Sequence, residues 1–161
     1  MIEIRGPNVF KGYWGMPEKT ADELRENGFF ITGDLGEISK DGYVSLVGRS
    51  KDLIISGGHN IYPKEIELLL DRIKGVIESA VIGVPHPDLG EAVVAVIVNE
   101  PGNSLNHDSI TDLLHKNIAS FKHPKQINFV AELPRNSMGK VQKNVLREAF
   151  EEIFINKKDG L

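Results

Sequence analysis

From Asp52 onward the apolar positions follow two periods, and the places where the period changes divide the chain into elements. A short apolar run at Leu53–Ile55 reads as a strand and ends in a Gly-Gly turn. Pro63 then opens a helix in which Ile66, Leu69, Leu70 and Ile73 share one stripe, with Gly75 as its stop. Two strands are predicted at Glu78–Val84 and Ala92–Val98, split by a Pro85-His-Pro-Asp-Leu-Gly90 loop. A second helix is expected from about Asp108 to Ala119, carrying Ile110, Leu113, Leu114 and Ile118 inward. A strand at Gln126–Val130 follows, and a last helix over Asn144–Ile155 with Val145, Leu146, Ala149, Phe150 and Ile153 facing the core. Helices and short strands mixed in this order predict an α+β fold, a short mixed sheet flanked by helices.

The first fifty residues are different in kind. They are rich in glycine and turns, with short alternating runs at Gly28–Thr32 and Gly42–Val47 separated by Lys40-Asp41-Gly42, a hairpin signal. Glu18–Glu26 suits one short helix opened by Pro17. Ile2-Glu-Ile-Arg-Gly-Pro7 alternates like a strand already under way, so the chain is expected to begin in mid-domain. The polar residues 156–161 are expected to fray.

Composition narrows the function classes. With 161 residues and 40% hydrophobic content there is enough material for a core, and a net charge of −4 argues against a general nucleic-acid binder. The absence of cysteine removes disulfides, thiolate metal sites and a cysteine nucleophile. No run approaches the roughly 20 apolar residues of a spanning helix, and no signal-peptide pattern opens the chain, so a soluble, cytoplasmic protein is expected.

Candidate chemistry gathers in four places. Asp34 lies in Thr32-Gly-Asp34, where an ionised carboxylate can accept hydrogen bonds from two hydroxyls; a plain turn Asp fits the local sequence equally well. Arg49 ends a strand and offers a planar fork to a hydroxyl or a phosphate, or else a surface pair with Asp52. Ser56-Gly-Gly-His-Asn-Ile-Tyr-Pro63 exposes backbone at Gly57 and Gly58, with His59 read as a variable turn residue. In Phe121-Lys-His-Pro-Lys125 an aromatic stands among Lys122, His123 and Lys125, which is either a helix exit with solvated charge or a phosphate site beside a stacking ring. Finally, Pro134-Arg-Asn-Ser-Met-Gly-Lys140 sets a lysine on a glycine turn expected to be mobile, with Lys143 as the nearest competitor.

Taken together, Thr32-Gly-Asp34, Gly48-Arg-Ser-Lys-Asp-Leu-Ile-Ile-Ser-Gly-Gly58 and Pro134–Lys140 resemble the C-terminal part of the adenylate-forming acyl-CoA synthetases. The similarity runs from Gly6-Pro-Asn-Val-Phe-Lys-Gly-Tyr-Trp14 to Leu146. It implies that residues 1–50 end a large ATP-binding domain, that 51–155 form the small C-terminal domain, and that Lys51 is the hinge between them. It implies a reaction in which a carboxylate attacks ATP to give acyl-AMP and pyrophosphate, and CoA then displaces AMP. Asp34 and Arg49 would hold the ATP ribose, Lys140 would stabilise the adenylation transition state, and Gly57, Gly58, Phe121, Lys122 and Lys125 would meet CoA. The phosphate loop and acyl pocket of such enzymes have no counterpart here, so the chain is expected to be inactive alone. Its partners would be the missing N-terminal domain and a small-molecule carboxylate; Mg2+ would bind outside these residues. The wording of 134–147 is closest to malonyl-CoA synthetases. An adenylation domain that loads a carrier protein, and a separately made nucleotide- or protein-binding module, are the other readings.

Overall fold

The computed structural model describes residues 1–102, 105 and 107–155. The expectation for 156–161 lies outside the described residues. The chain divides into two compact units, Met1–Lys51 and Asp52–Leu161.

The first unit is built from two small antiparallel pairs and one short helix. Strand β1 (Glu3–Ile4) pairs with β2 (Phe30–Ile31), and β3 (Asp34–Ile38) pairs with β4 (Val44–Arg49). Helix α1 (Pro17–Glu23) starts on Pro17, whose missing N–H costs nothing in a first turn, and it ends three residues short of the expected Glu26. The Asp41-Gly42 turn forms as expected, with Gly42 at φ 83°, but its first strand is Asp34–Ile38 and not Gly28–Thr32. The earlier run is taken by β1 because Ile2 closes the alignment: Thr32 donates its N–H to the Ile2 carbonyl, and the Ile2 N–H reaches the Asp34 carbonyl. Asp34 thus follows β2 across Thr32 and Gly33 and opens β3. No residue of this unit is buried.

The second unit has three layers. Its sheet contains β5 (Ile54–Ser56), β6 (His59–Ile61), β7 (Val76–His86), β8 (Gly90–Asn99) and β9 (Gln126–Val130). β8 is central: β7 runs antiparallel along one side, and the other side is shared by β9, parallel at Val94–Val98, and by β5 at Gly90. A strand covered on both faces cannot alternate, and Ala92–Val98 is accordingly an unbroken apolar run, all buried. One face packs Val81, Val93, Ala95 and Ile97 against Ile66 and Leu70 of α2 (Pro63–Leu70) and Ile110 and Leu114 of α3 (His107–Asn117). The other packs Ala80, Ile82, Val84, Val94, Val96 and Val98 against Leu133 and Leu146, the latter on α4 (Lys143–Phe150).

Several boundaries differ from the sequence pattern. The β7–β8 hairpin runs on to His86 and Gly90, through Pro85. This is possible because Val81, four residues earlier and on the same side of β7, turns its N–H away from β8 to Glu67; a proline at position 85 loses no ladder bond. α2 ends at Leu70, and the stretch to Gly75 tightens into i→i+3 turns that keep Ile73 against the core. α4 ends at Phe150 in the same way, with Ile153 and Phe154 still packed but Val145 and Ala149 exposed. An unexpected strand, β6, arises because Gly57 and Gly58 both take positive φ (55° and 81°), the geometry of a tight two-residue hairpin.

Limited proteolysis should cut within residues 1–51 first and leave a fragment beginning near Asp52, since only the second unit has buried side chains. Mass spectrometry of the early products checks this. First cuts inside Val76–Asn99 would contradict the division.

Candidate functional site

Asp34 and Arg49 come together through a strand irregularity. Between β3 and β4 the register shifts at Leu35/Gly36, leaving Val47 as an extra residue. Without that bulge Asp34 would stand opposite Gly48; with it, the partner is Arg49, and Arg49 Nε lies 2.7 Å from Asp34 Oδ1. Thr32 Oγ1 accepts the Asp34 N–H at 3.0 Å and donates to the Ile2 carbonyl at 2.8 Å, which fixes the approach to the strand. Gly33 takes φ 74°, as the turn requires. The pair lines an open cleft of about 680 Å³ shared with Tyr13, Glu23, Thr32, Gly33 and Lys51. In that cleft the Tyr13 hydroxyl donates to Glu23 Oε2 at 2.5 Å, which holds the phenol above its ordinary value of 10.0.

Within the first unit Arg49 has Asp34 as its partner. Asp52 accepts from Arg147 Nη2 at 2.7 Å. Lys51 sits in the 3-10 turn Ser50–Asp52, at the last position of the first unit.

The lysine loop is closed on itself by hydrogen bonds. Arg135 and Val141 form a bridge, Asn136 N–H donates to the Lys140 carbonyl at 2.9 Å, and Gly139 N–H returns to the Asn136 carbonyl at 2.9 Å. The Asn136 side-chain oxygen accepts from both Met138 N–H (3.0 Å) and Lys140 N–H (2.9 Å). Arg135 donates to the Gly139 carbonyl and pairs with Glu78 of β7. Lys140 itself is exposed, and its ammonium makes no ion pair among the described residues. Lys143 is fully engaged with Glu67, at 2.6 Å. Asn136 could have been found from sequence: Asn-Ser-Met-Gly places an Asx side chain and a glycine where a closed turn uses them.

At the third place the Phe121 ring stacks on His59, with centroids 4.4 Å apart and planes inclined by 25°. His59, expected to be incidental, thus completes an aromatic ledge. Lys122 directs its ammonium at both carboxylate oxygens of Glu65, 2.7 Å each, so its charge is already compensated. Lys125 is exposed and makes no ion pair among the described residues. At Gly58 a Cβ would meet nothing within 4 Å, and at Gly57 only Leu89 Cδ2 at 3.6 Å, so the turn faces open space.

A model of the AMP-binding enzyme C-terminal domain matches residues 65–140. The chain carries an AMP-binding enzyme C-terminal domain. The span of 65–140 reaches from the Glu65 that holds Lys122 to the exposed Lys140. The ATP-bound crystal structure of MatB from Rhodopseudomonas palustris is 58% identical, with TM-score 0.86 over 94% of this chain and 30% of that one. A 3-[(3aS,4S,7aS)-7a-methyl-1,5-dioxo-octahydro-1H-inden-4-yl]propanoyl:CoA ligase of Rhodococcus jostii is 48% identical over 91% of this chain and 28% of its own length. Feruloyl-CoA synthase of an Amycolatopsis species is 46% identical over 92% and 30%. The chain therefore spans about 30% of the length of the relatives it matches. The lysine loop falls at the end of the matched span, and the Gly57-Gly58 turn lies just before it.

Gly58→Val should destabilise the second unit by about 1–2 kcal/mol through backbone strain alone, because φ is positive there and no neighbour is struck. Gly58→Asn, which tolerates that conformation, should lose less. Urea denaturation midpoints decide between them; equal losses would mean that the side chain meets something.

Proposed function

We propose that this chain is the C-terminal portion of an ATP-dependent acyl-CoA synthetase that converts a carboxylate, ATP and CoA to acyl-CoA, AMP and pyrophosphate. The observation that carries this reading is the 58% identity to ATP-bound MatB over 94% of the chain. The Asp34 carboxylate, paired with Arg49 through the bulge, is offered to the ribose hydroxyls, while Arg49 supplies charge beside them. Lys140, an uncommitted ammonium on a preorganised loop, is suited to the charge that builds between the attacking carboxylate and the α-phosphate. In the second step CoA displaces AMP. Gly57 and Gly58 line its arm, the Phe121–His59 ledge takes the adenine, and Lys125 meets its phosphates, with Lys122 reduced to a compensated neighbour by Glu65. Lys51 is the hinge.

The acid is chosen elsewhere. Relatives named for feruloyl, long-chain fatty acid and indoleacetate substrates match this same stretch at 42–46% identity, so family likeness over it does not choose among acids. Malonate is the substrate proposed, on the wording of 134–147 and the likeness to MatB. The phosphate loop, the acyl pocket and the Mg2+ site belong, in this reading, to the remaining two thirds of the relatives' length.

In a chain carrying that remainder, Lys140→Ala should lower acyl-AMP formation by about 10²–10³-fold while sparing thioester formation from supplied acyl-AMP. Half-reaction assays check it; equal damage to both steps would remove Lys140 from the chemistry. Lys51→Pro should do the reverse, retaining adenylation and impairing transfer to CoA, because proline fixes φ at the turn that must change. Normal transfer in that variant would place the hinge elsewhere.

A further inference from the structure

Helix α4 follows the lysine loop directly and is held by two ion pairs one turn apart. Lys143 Nζ lies 2.6 Å from Glu67 Oε1, and Arg147 Nη2 lies 2.7 Å from Asp52 Oδ1. Positions 143 and 147 share a stripe beside the apolar stripe that sends Leu146 and Phe150 into the core. The first pair is well shielded, with side-chain exposures of 18% for Lys143 and 9% for Glu67. Such a pair resists loss of either member, since the other would be left buried and charged.

The geometry of Glu67 is unusual for a helix carboxylate. It projects from α2, which packs on one face of the sheet, whereas α4 packs on the other. Glu67 Oε1 accepts the outward Val81 N–H of β7 at 2.9 Å and the Lys143 ammonium together. The two helices are thus clasped around β7. The other end of the loop is fastened to the same strand by Arg135 and Glu78, and Gln142 N–H closes on the Pro134 carbonyl at 2.8 Å. Beyond Lys143, Arg147 reaches Asp52, the residue after Lys51.

We infer that Glu67, Lys143 and Arg147 are positioning residues that join the Lys140 loop, α4 and Asp52 into one rigid body, so that a backbone change at Lys51 carries Lys140 with it undeformed. This rests on the assignment of Lys140 above. The groups named do not touch substrate; they act by fixing where Lys140 stands relative to Asp52.

Hydrogen exchange of the 161-residue chain, followed by mass spectrometry, tests the clasp without any assay of activity. Lys143→Met should raise exchange of the amides in 136–140 and 145–150 by about tenfold or more, leaving those of Val93–Ile97 at the wild-type rate. Lys143→Arg should restore protection. Arg147→Gln should loosen 147–150 in the same selective way. Should Lys143→Met fail to fold, Glu67→Gln keeps an acceptor for the Val81 amide while removing the charge, and the same selective loss is expected. Unchanged loop exchange, or a rise spread evenly through the sheet, would overturn the inference. In the longer enzyme Lys143→Met should lower kcat of adenylation with little change in KM for ATP, and Lys143→Arg should recover it. If Lys140→Ala keeps full adenylation, the functional reading fails while the exchange results still decide the clasp.

Discussion

One buried carboxylate, that of Glu67, stands where three elements meet, α2, β7 and α4. It accepts the Val81 N–H on the open side of β7 and pairs with Lys143, so an edge that would otherwise offer an unpaired donor is closed by a side chain. A shielded ion pair roughly offsets its own desolvation, but breaking one costs about 3–5 kcal/mol, so alternative packings of α2 and α4 are disfavoured strongly. Glu91 acts similarly at β5, where only Ser56 and Gly90 are paired with β8 and the Ile55 N–H is accepted by Glu91 Oε2 at 2.7 Å. Two carboxylates thus finish a sheet that backbone pairing leaves incomplete.

The two units obey different constraints. In the second, β8 is apolar from Ala92 to Val98 because helices cover both its faces, and everything else is arranged around that strand. In the first, no residue is buried, and Ile38, Val44 and Leu46 lie exposed on one face of the β3–β4 pair. That pair is organised by hydrogen-bond register, not by a core. The bulge at Val47 therefore has a direct chemical result: it decides that Asp34 faces Arg49 and not Gly48.

Periodicity revealed what burial dictates. Ile66, Leu70, Ile110 and Leu114 could be picked from their spacing, and β9 falls on Gln126–Val130 as read, because those residues answer to packing. Elements set by register or by a single polar contact were illegible. Pro85 looks like a loop residue because its tolerance depends on which way the N–H groups on its side of β7 point, as that of Val81 four residues earlier shows. Val145 and Ala149 looked inward because they extend the apolar run, yet α4 turns Lys143 and Arg147 to its partners and leaves them outside. Asp34 and Arg49 were legible as candidates through motif resemblance; their contact came from a bulge that no local pattern announces.

Charge compensation separates lysines that sequence treats alike. Lys122 and Lys143 are each neutralised by a helix α2 carboxylate, Glu65 and Glu67 respectively, whereas Lys125 and Lys140 make no ion pair among the described residues. An ammonium already holding a carboxylate at 2.6–2.7 Å must give up that partner before it can serve an anion, and the exchange yields little net attraction. An uncommitted ammonium meets an incoming anion without that loss. The local fold thus decides which cations remain available: α2 consumes two of the four to hold itself in place, and the tied turn around Asn136 presents Lys140 with its charge unspent.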